Sequence, residues 1–312
     1  MVGHMALPAI TGSTIPASLS RAVIGGLLRE SLGYGGVVVT DCLEMGAVAA
    51  RDGGVPTAAL DALRAGADIA MICHRLDRQR GALEATYGAI QSGALATEEL
   101  RASGQRIAAL KDAFAGSWEQ VLGREFDEAR WARLKAEHVP LSRQTYAASI
   151  ALVRNPSAVI PLPRSTVALL TPHMGYVALA ESVSNRVNGA SVHVVYSPEP
   201  LGAEIQDAIE HATSVLFVTR NADRSTWQLD RLREVLQLRG ESRKVVVLAS
   251  YAPYDLLAAP LDIEGLGDVG YVASFEFTAD ALDAAAAVIF GEVVAKGTVP
   301  VCGGNVLPDM LQ

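Results

Sequence analysis

The chain has 312 residues, half of them apolar, and a formal net charge of −8 at pH 7. That length accommodates two ordinary domains, each able to bury its own core. Neither half gathers Lys or Arg into a basic patch and no stretch reaches the roughly 18 apolar residues of a membrane span, so neither nucleic acid nor a membrane is expected as a partner.

Val2-Gly3-His4-Met5 reads as a short apolar strand with a histidine near its end. A chain that opens inside a buried strand suggests that an upstream portion is missing, because termini are usually polar and frayed. Pro8 to Ser18, rich in Gly, Ser, Thr and Pro, predicts a loop. Ser18 or Ser20 then caps a helix whose apolar residues Val23, Ile24, Leu27, Leu28 and Leu32 recur at helical spacing up to Gly33.

The run Gly36-Val37-Val38-Val39-Thr40-Asp41 predicts a central strand of a parallel sheet, covered on both faces and ending at an acid. Ligands and catalytic side chains collect at the carboxyl ends of such strands, which makes Asp41 a site candidate. The same position also suits a cap or a turn contact. A helix follows from about Pro56 to Ala65, then a strand over 68–73, and helices from Leu76 to about Gln91 and from Thr97 to Phe114. Glu98 and Glu99 lie near the positive end of the last. Parallel strands with right-handed helical crossovers are the expected arrangement, and three such units are too few to close a barrel of eight.

Cys42, Cys73 and Cys302 lie far apart without C-x-x-C spacing. They predict neither a disulfide framework nor a zinc site, and Cys42 and Cys73 are expected as small buried residues. No metal or cofactor is expected. The first residues carry no charged-then-apolar signal pattern, so a cytoplasmic setting is the default expectation.

Residues 116–140 are charged and aromatic, with Trp118, Phe126 and Trp131, and predict linker helices whose tryptophans anchor a domain junction rather than stack on a sugar. From 141 a second domain is expected. Ser142 to Ala151 reads as helical and Pro161-Leu162-Pro163 as a turn. Apolar runs begin at Val167, Val192, Val215, Val245 and Val269. Helical segments near Val177–Val187, Ala203–His211, Trp227–Leu238 and Ala279–Phe290 separate them. The alternation predicts an open parallel sheet with helices on both faces. No G-x-G-x-x-G follows the first strand and there is no P-loop, so nucleotide binding has no sequence support. His173, Arg220 and Asn221 follow strand ends here, where turn formation and solvation compete with ligand contact as explanations.

Several segments together resemble glycoside hydrolase family 3, most closely its β-N-acetylhexosaminidase branch. They are Val2-Gly3-His4-Met5, Pro16-Ala17-Ser18-Leu19-Ser20, Leu27-Leu28-Arg29-Glu30, Gly36 to Asp41, Leu43-Glu44-Met45 and Ala65-Gly66-Ala67-Asp68. In the second domain they are Ser149 to Asn155, Ile160-Pro161-Leu162, Thr219-Arg220-Asn221-Ala222, Pro253-Tyr254-Asp255-Leu256, Phe275-Glu276-Phe277-Thr278 and the stretch from Gly291 to Val301. The resemblance implies an α/β fold: a partial (β/α)8 TIM-type barrel holding the last three units over 1–115, a helical linker over 116–140, and a parallel-sheet α/β sandwich domain over 141–312. It implies an amino-sugar-containing glycoside as the partner, and self-association through the exposed edge of the incomplete barrel.

In that family the acid ending the seventh strand is the nucleophile, which corresponds to Asp41. Retaining hydrolysis needs this group and a second one that protonates the leaving oxygen and later activates water. The branch takes the second from a histidine-aspartate pair on a mobile loop, and it holds the sugar with a Lys-His-Phe-Pro-Gly-His segment. Neither motif occurs in this sequence. His4 resembles a binding or packing residue rather than the acid, since proton transfer requires reach to the leaving oxygen. Met45 resembles a pocket wall. His74 ends the last strand on the same face, as a pocket residue or a solvated loop residue. Glu44 is expected to face the loop or cap the next turn, and Asp68, at the opposite end of its strand, is not expected to be catalytic. Two readings follow: a glycosidase built on Asp41, or a catalytically inactive relative that serves as a binding module.

Overall fold

The computed structural model describes residues 1–240, 243–257 and 262–300. Val301 and Cys302 lie outside them. The chain divides into two compact units, Met1–Phe126 and Asp127–Gln312.

In the first unit three extended segments run parallel, joined by the bridges Val2–Thr40 and Val39–Ile69. The Val2 N–H reaches the Val39 carbonyl at 2.8 Å and the Thr40 N–H reaches Ile69 at 3.0 Å, so the valine run is the middle segment. Its expected burial on both faces is not what forms. Successive side chains of an extended backbone point to opposite sides. Val38 (2 % exposed) and Thr40 turn into the core, whereas Val37 and Val39 are only half-buried. The core they turn into is made largely by helix α1 (Gly54–Ala65), whose Val55, Ala58, Ala59, Ala62 and Ala65 form one buried stripe at helical spacing. Gly66 ends α1 at φ 107°, a backbone conformation that L side chains rarely adopt, and bonds back to Leu63. Helices α2 (Leu76–Gln91) and α3 (Thr97–Phe114) match their predicted bounds.

The segment Ala22–Ser31 is helical, but with widened π-type turns: the Leu32 N–H closes on the Leu27 carbonyl five residues back. Gly25 and Gly26 in its middle ease that departure from α geometry. No serine caps it. The Ser18 hydroxyl is taken by His4 instead, at 2.7 Å.

Asp68 holds the amino end of the third segment to its surroundings. Its side chain is fully buried and accepts from Arg29, Arg106, Ser103 and the Val38 N–H. Burial acts to raise its pKa, but the bonds from Arg106, Ser103 and Val38 and the Arg29 charge outweigh it and hold the carboxyl below its ordinary value.

The second unit begins with a helix longer than expected. Asp127 caps it by accepting the Arg130 N–H at 2.7 Å, and α4 (Glu128–Ser149) then runs through Pro140. The proline forfeits one backbone bond, to Ala136, without stopping the helix. Trp118 is 75 % exposed and Trp131 51 %, with the Lys135 ammonium 5.8 Å from the Trp131 ring.

Ala151 does not extend α4 but opens a six-stranded sheet: β1 (Ala151–Arg154), β2 (Val167–Thr171), β3 (Ser191–Val195), β4 (Ser214–Thr219), β5 (Lys244–Ala249) and β6 (Gly270–Ala273), in the order β1-β6-β5-β4-β2-β3. Every pairing is parallel except β1 with β6. The expectation of a wholly parallel sheet therefore fails at one edge, where a four-residue strand follows its helix directly and returns antiparallel. Alternate residues feed two cores. Ala168, Leu170, Val215, Phe217, Val245 and Val247 pack on one face, and Val167, Leu169, Leu216, Val218, Val246 and Leu248 on the other. Helices α5 (Val177–Ser184), α6 (Ala203–His211), α7 (Trp227–Leu238) and α8 (Ala279–Ile289) lie between the strands in the chain, close to their predicted positions. No helix among the described residues is long and apolar enough to cross a membrane.

Candidate active site at the end of the valine run

Asp41 stands where the middle segment of the first unit ends. Its backbone N–H donates to the Val2 carbonyl at 2.8 Å and its Oδ1 accepts the Cys42 N–H at 2.7 Å. The residue is half-buried, and among the described residues no cation pairs with its carboxylate. The chain then turns sharply. The Met45 N–H closes on the Cys42 carbonyl at 3.1 Å, and the Leu43 N–H reaches across to Met71 at 2.9 Å, fixing this turn beside the third segment.

His4, from the first segment, arrives at the same turn. Its Nε2 lies 2.8 Å from the Cys42 carbonyl and its Nδ1 2.7 Å from the Ser18 hydroxyl. A carbonyl oxygen only accepts, so Nε2 carries the hydrogen. In the neutral ring Nδ1 then accepts from Ser18. Both ring nitrogens are thus committed to the protein. Met45, 49 % exposed, opens the short helix Gly46–Ala49 and presents apolar surface just after the acid.

Glu44 does not face the loop. Its side chain is 6 % exposed, and its Oε2 accepts the Cys73 N–H (3.0 Å), the His74 N–H (2.6 Å) and the His74 Nδ1–H (3.2 Å). Burial works to raise its pKa, but the His74 and Cys73 bonds prevail and hold the carboxyl below its ordinary value. Glu44 is therefore a clamp joining the Asp41 turn to the end of the third segment. The His74 side chain, although 76 % exposed, is held by that clamp. Cys73 is exposed where a buried thiol was expected. A hydrogen bond with the Cys42 thiol, then burial, then the negative charges of Glu44 and Asp41 push its pKa up.

His4, Met45 and His74 thus gather around the five residues from Asp41 to Met45. Sequence reasoning did not find Ser18 as the residue that orients His4, nor Glu44 as the clamp on His74. The only signal for the latter was an acid three positions after Asp41, facing a strand end 30 residues away. The turn thus carries one carboxylate, with the His4 imidazole fixed to its Cys42 carbonyl and the exposed Met45 side chain at its end. In the second unit, Arg220 lies 3.2 Å from His173 Nε2 and stacks on Phe277 at 3.9 Å, and Asn221 takes a turn conformation at φ 52°.

Residues 1–110 match the family model described as Glycosyl hydrolase family 3 N terminal domain. The chain is 26 % identical over 347 residues to β-hexosaminidase A of Pseudoalteromonas piscicida, an alignment covering 96 % of this chain and 57 % of the relative. It is 29 % identical over 176 residues to a β-N-acetylglucosaminidase/β-glucosidase of Cellulomonas fimi, covering 53 % of this chain and 30 % of the other. Among solved structures, a family 3 β-N-acetylglucosaminidase from Paenibacillus superposes with a TM-score of 0.69 at 28 % identity, over 94 % of this chain and 56 % of that one. A fungal multi-domain β-N-acetylglucosaminidase of the same family gives 0.73 at 31 %, over 98 % and 35 %. The chain thus spans from about a third to somewhat over half of the length of these relatives.

Proposed function

We propose that this chain belongs to glycoside hydrolase family 3, on its β-hexosaminidase side, and that it carries the nucleophile of a retaining β-N-acetylglucosaminidase-type site, with Asp41 as the attacking carboxylate. The observation that carries this reading is the placement of Asp41: a half-buried carboxylate with no paired cation among the described residues, at the carboxyl end of the middle of three parallel segments. In a (β/α)8 barrel, of which these segments are proposed to be the last three strands, that edge is where reacting groups stand. An Asp41 oxygen attacks the anomeric carbon and the glycosidic oxygen departs with its bonding pair. Water then breaks the acyl–sugar bond and returns the carboxylate. His4, pinned through both nitrogens, acts as a wall or a contact to the sugar, and Met45 and His74 border the same space.

The proton for the leaving oxygen is the open part of the chemistry. His4 has no free nitrogen, and Glu44 is tied to two backbone amides and to His74 while its pKa is held low. Those commitments favour a second reading, a family member that binds glycosides without turning them over. Leaving-group dependence separates the two. A dinitrophenyl N-acetylglucosaminide departs without protonation, so the chain should release dinitrophenolate from it and only trace product from the mononitrophenyl glycoside. Asp41→Asn should abolish the first reaction. If the wild-type chain binds both glycosides and cleaves neither, the binding-module reading stands. Fast hydrolysis of both would mean that a further acid is supplied.

A further inference from the structure

Cys42, Glu44 and His74 converge in a way that sugar cleavage does not require. Cys42 Sγ lies 3.9 Å from Glu44 Oε2 and 4.0 Å from His74 Nδ1, while Oε2 and Nδ1 are 3.2 Å apart. A circle through these three atoms has a radius of about 2.2 Å, within the range of about 2.0–2.3 Å over which Zn²⁺ bonds to carboxylate oxygen, imidazole nitrogen and thiolate sulfur. An ion at its centre would reach all three donors with little movement of any side chain.

Glu44 supplies a second, independent sign. Its side chain is 6 % exposed and its Oε1 has no hydrogen-bond partner. Buried polar atoms are rarely left unsatisfied, and those that are point to a ligand, an ion or water. The Arg78 guanidinium approaches that oxygen only to 3.7 Å. Oε2, in turn, is held by the Cys73 and His74 amides, the kind of outer contact that orients a metal-binding carboxylate.

We propose that Cys42, Glu44 and His74 form a binding site for a divalent cation of the Zn²⁺ class, beside Asp41. Thiolate and imidazole select Zn²⁺-type ions over Mg²⁺ or Ca²⁺, which prefer all-oxygen shells. Three protein donors leave a coordination position for solvent or another ligand, and the exposed His74 places the site within reach of solvent. As the metal–sulfur bond forms, the Cys42 thiol gives its proton to solvent. The hydrogen that His74 Nδ1 shares with Glu44 in the metal-free chain passes through solvent to Nε2, which frees the Nδ1 lone pair for the ion, so with a neutral imidazole one proton leaves per ion. Glu44 is already ionised.

The test uses the full chain with a phosphine reductant and metal ions alone. Titration calorimetry should give one Zn²⁺ per chain, and Co²⁺ should produce a near-ultraviolet thiolate-to-metal charge-transfer band. Cys42→Ser should abolish the band, Cys73→Ser should retain it, and His74→Ala and Glu44→Gln should each weaken Zn²⁺ binding about tenfold or more. His74 is exposed, so its replacement keeps the comparison valid should a buried variant misfold. Absence of the Co²⁺ band from the wild-type chain would overturn the site. So would a band that depends on Cys73 instead of Cys42, or Zn²⁺ affinity indifferent to His74→Ala. None of these readouts depends on glycoside turnover.

Discussion

Two valine runs that look alike in the sequence, Val37-Val38-Val39 and Val245-Val246-Val247, occupy different surroundings. The second lies in β5, between β4 and β6, and all three of its residues are fully buried because cores pack on both faces of the sheet. In the first, Val38 alone is fully buried and its neighbours are half-covered. A β-branched run therefore specifies extended backbone, while the covering of each face is specified by other elements. The first unit has a partly open segment that ends in the Asp41 turn, whereas the strands of the second unit are packed on both faces.

That contrast can be broken or sharpened by experiment. The largest effect is expected in the second unit: Phe217→Ala should cost about 3–5 kcal/mol, since it empties the centre of a core flanked by paired strands. Denaturant unfolding measures it, and a loss near zero would mean that the sheet is not the stable part of the molecule. Asp68→Ala should cost about 3 kcal/mol in the first unit, because it leaves Arg29 and Arg106 facing each other without their shared acid. Asp68 has a depressed native pKa. Its contribution is therefore present above the ordinary carboxylate range and fades as pH falls through the lowered value. An Asp68→Asn variant should lose that acid sensitivity.

Asp255 behaves in the opposite sense. Burial raises its pKa to about 6, although its Oδ1 accepts the Ala222 N–H. The folded state therefore holds a proton that the unfolded chain has released, and stability of the second unit should fall as pH rises from about 4 to about 6. At about 1.4 kcal/mol for each pH unit between those two values, the whole fall is about 3 kcal/mol. Asp255→Asn should flatten that part of the profile, and an unchanged slope would place the titration elsewhere. Val39→Ala should have the smallest effect, about 1 kcal/mol, because that side chain is only partly buried. A loss as large as that of Phe217→Ala would mean that the run is covered on both faces after all.

The parts legible in the sequence were those written locally. Helices α2 and α3 could be bounded from periodicity and their flanking turns, and the extended segment that ends at Asp41 could be placed because an apolar run stops there at an acid. The missed parts depend on partners distant in the chain. Four residues, Ala151 to Arg154, are too few to show strand alternation, and their pairing partner β6 lies more than 100 residues away. Pro140 reads as a helix stop, yet α4 absorbs the loss of one bond. Glu44 looked like a loop residue because nothing near it reveals the strand end at Cys73 and His74. The same distance concealed the Cys42–Glu44–His74 cluster, whose donors come from two turns and never form a C-x-x-C pattern.

The central claim is that the Asp41 carboxylate attacks an anomeric carbon, and trapping tests it most directly. A fluorinated amino-sugar glycoside with a dinitrophenyl leaving group should add one glycosyl mass to the chain, and peptide mapping should place the adduct on Asp41, with none on Asp41→Asn. An adduct on another carboxylate, or an unmodified wild-type chain that nonetheless binds the reagent, would contradict the account.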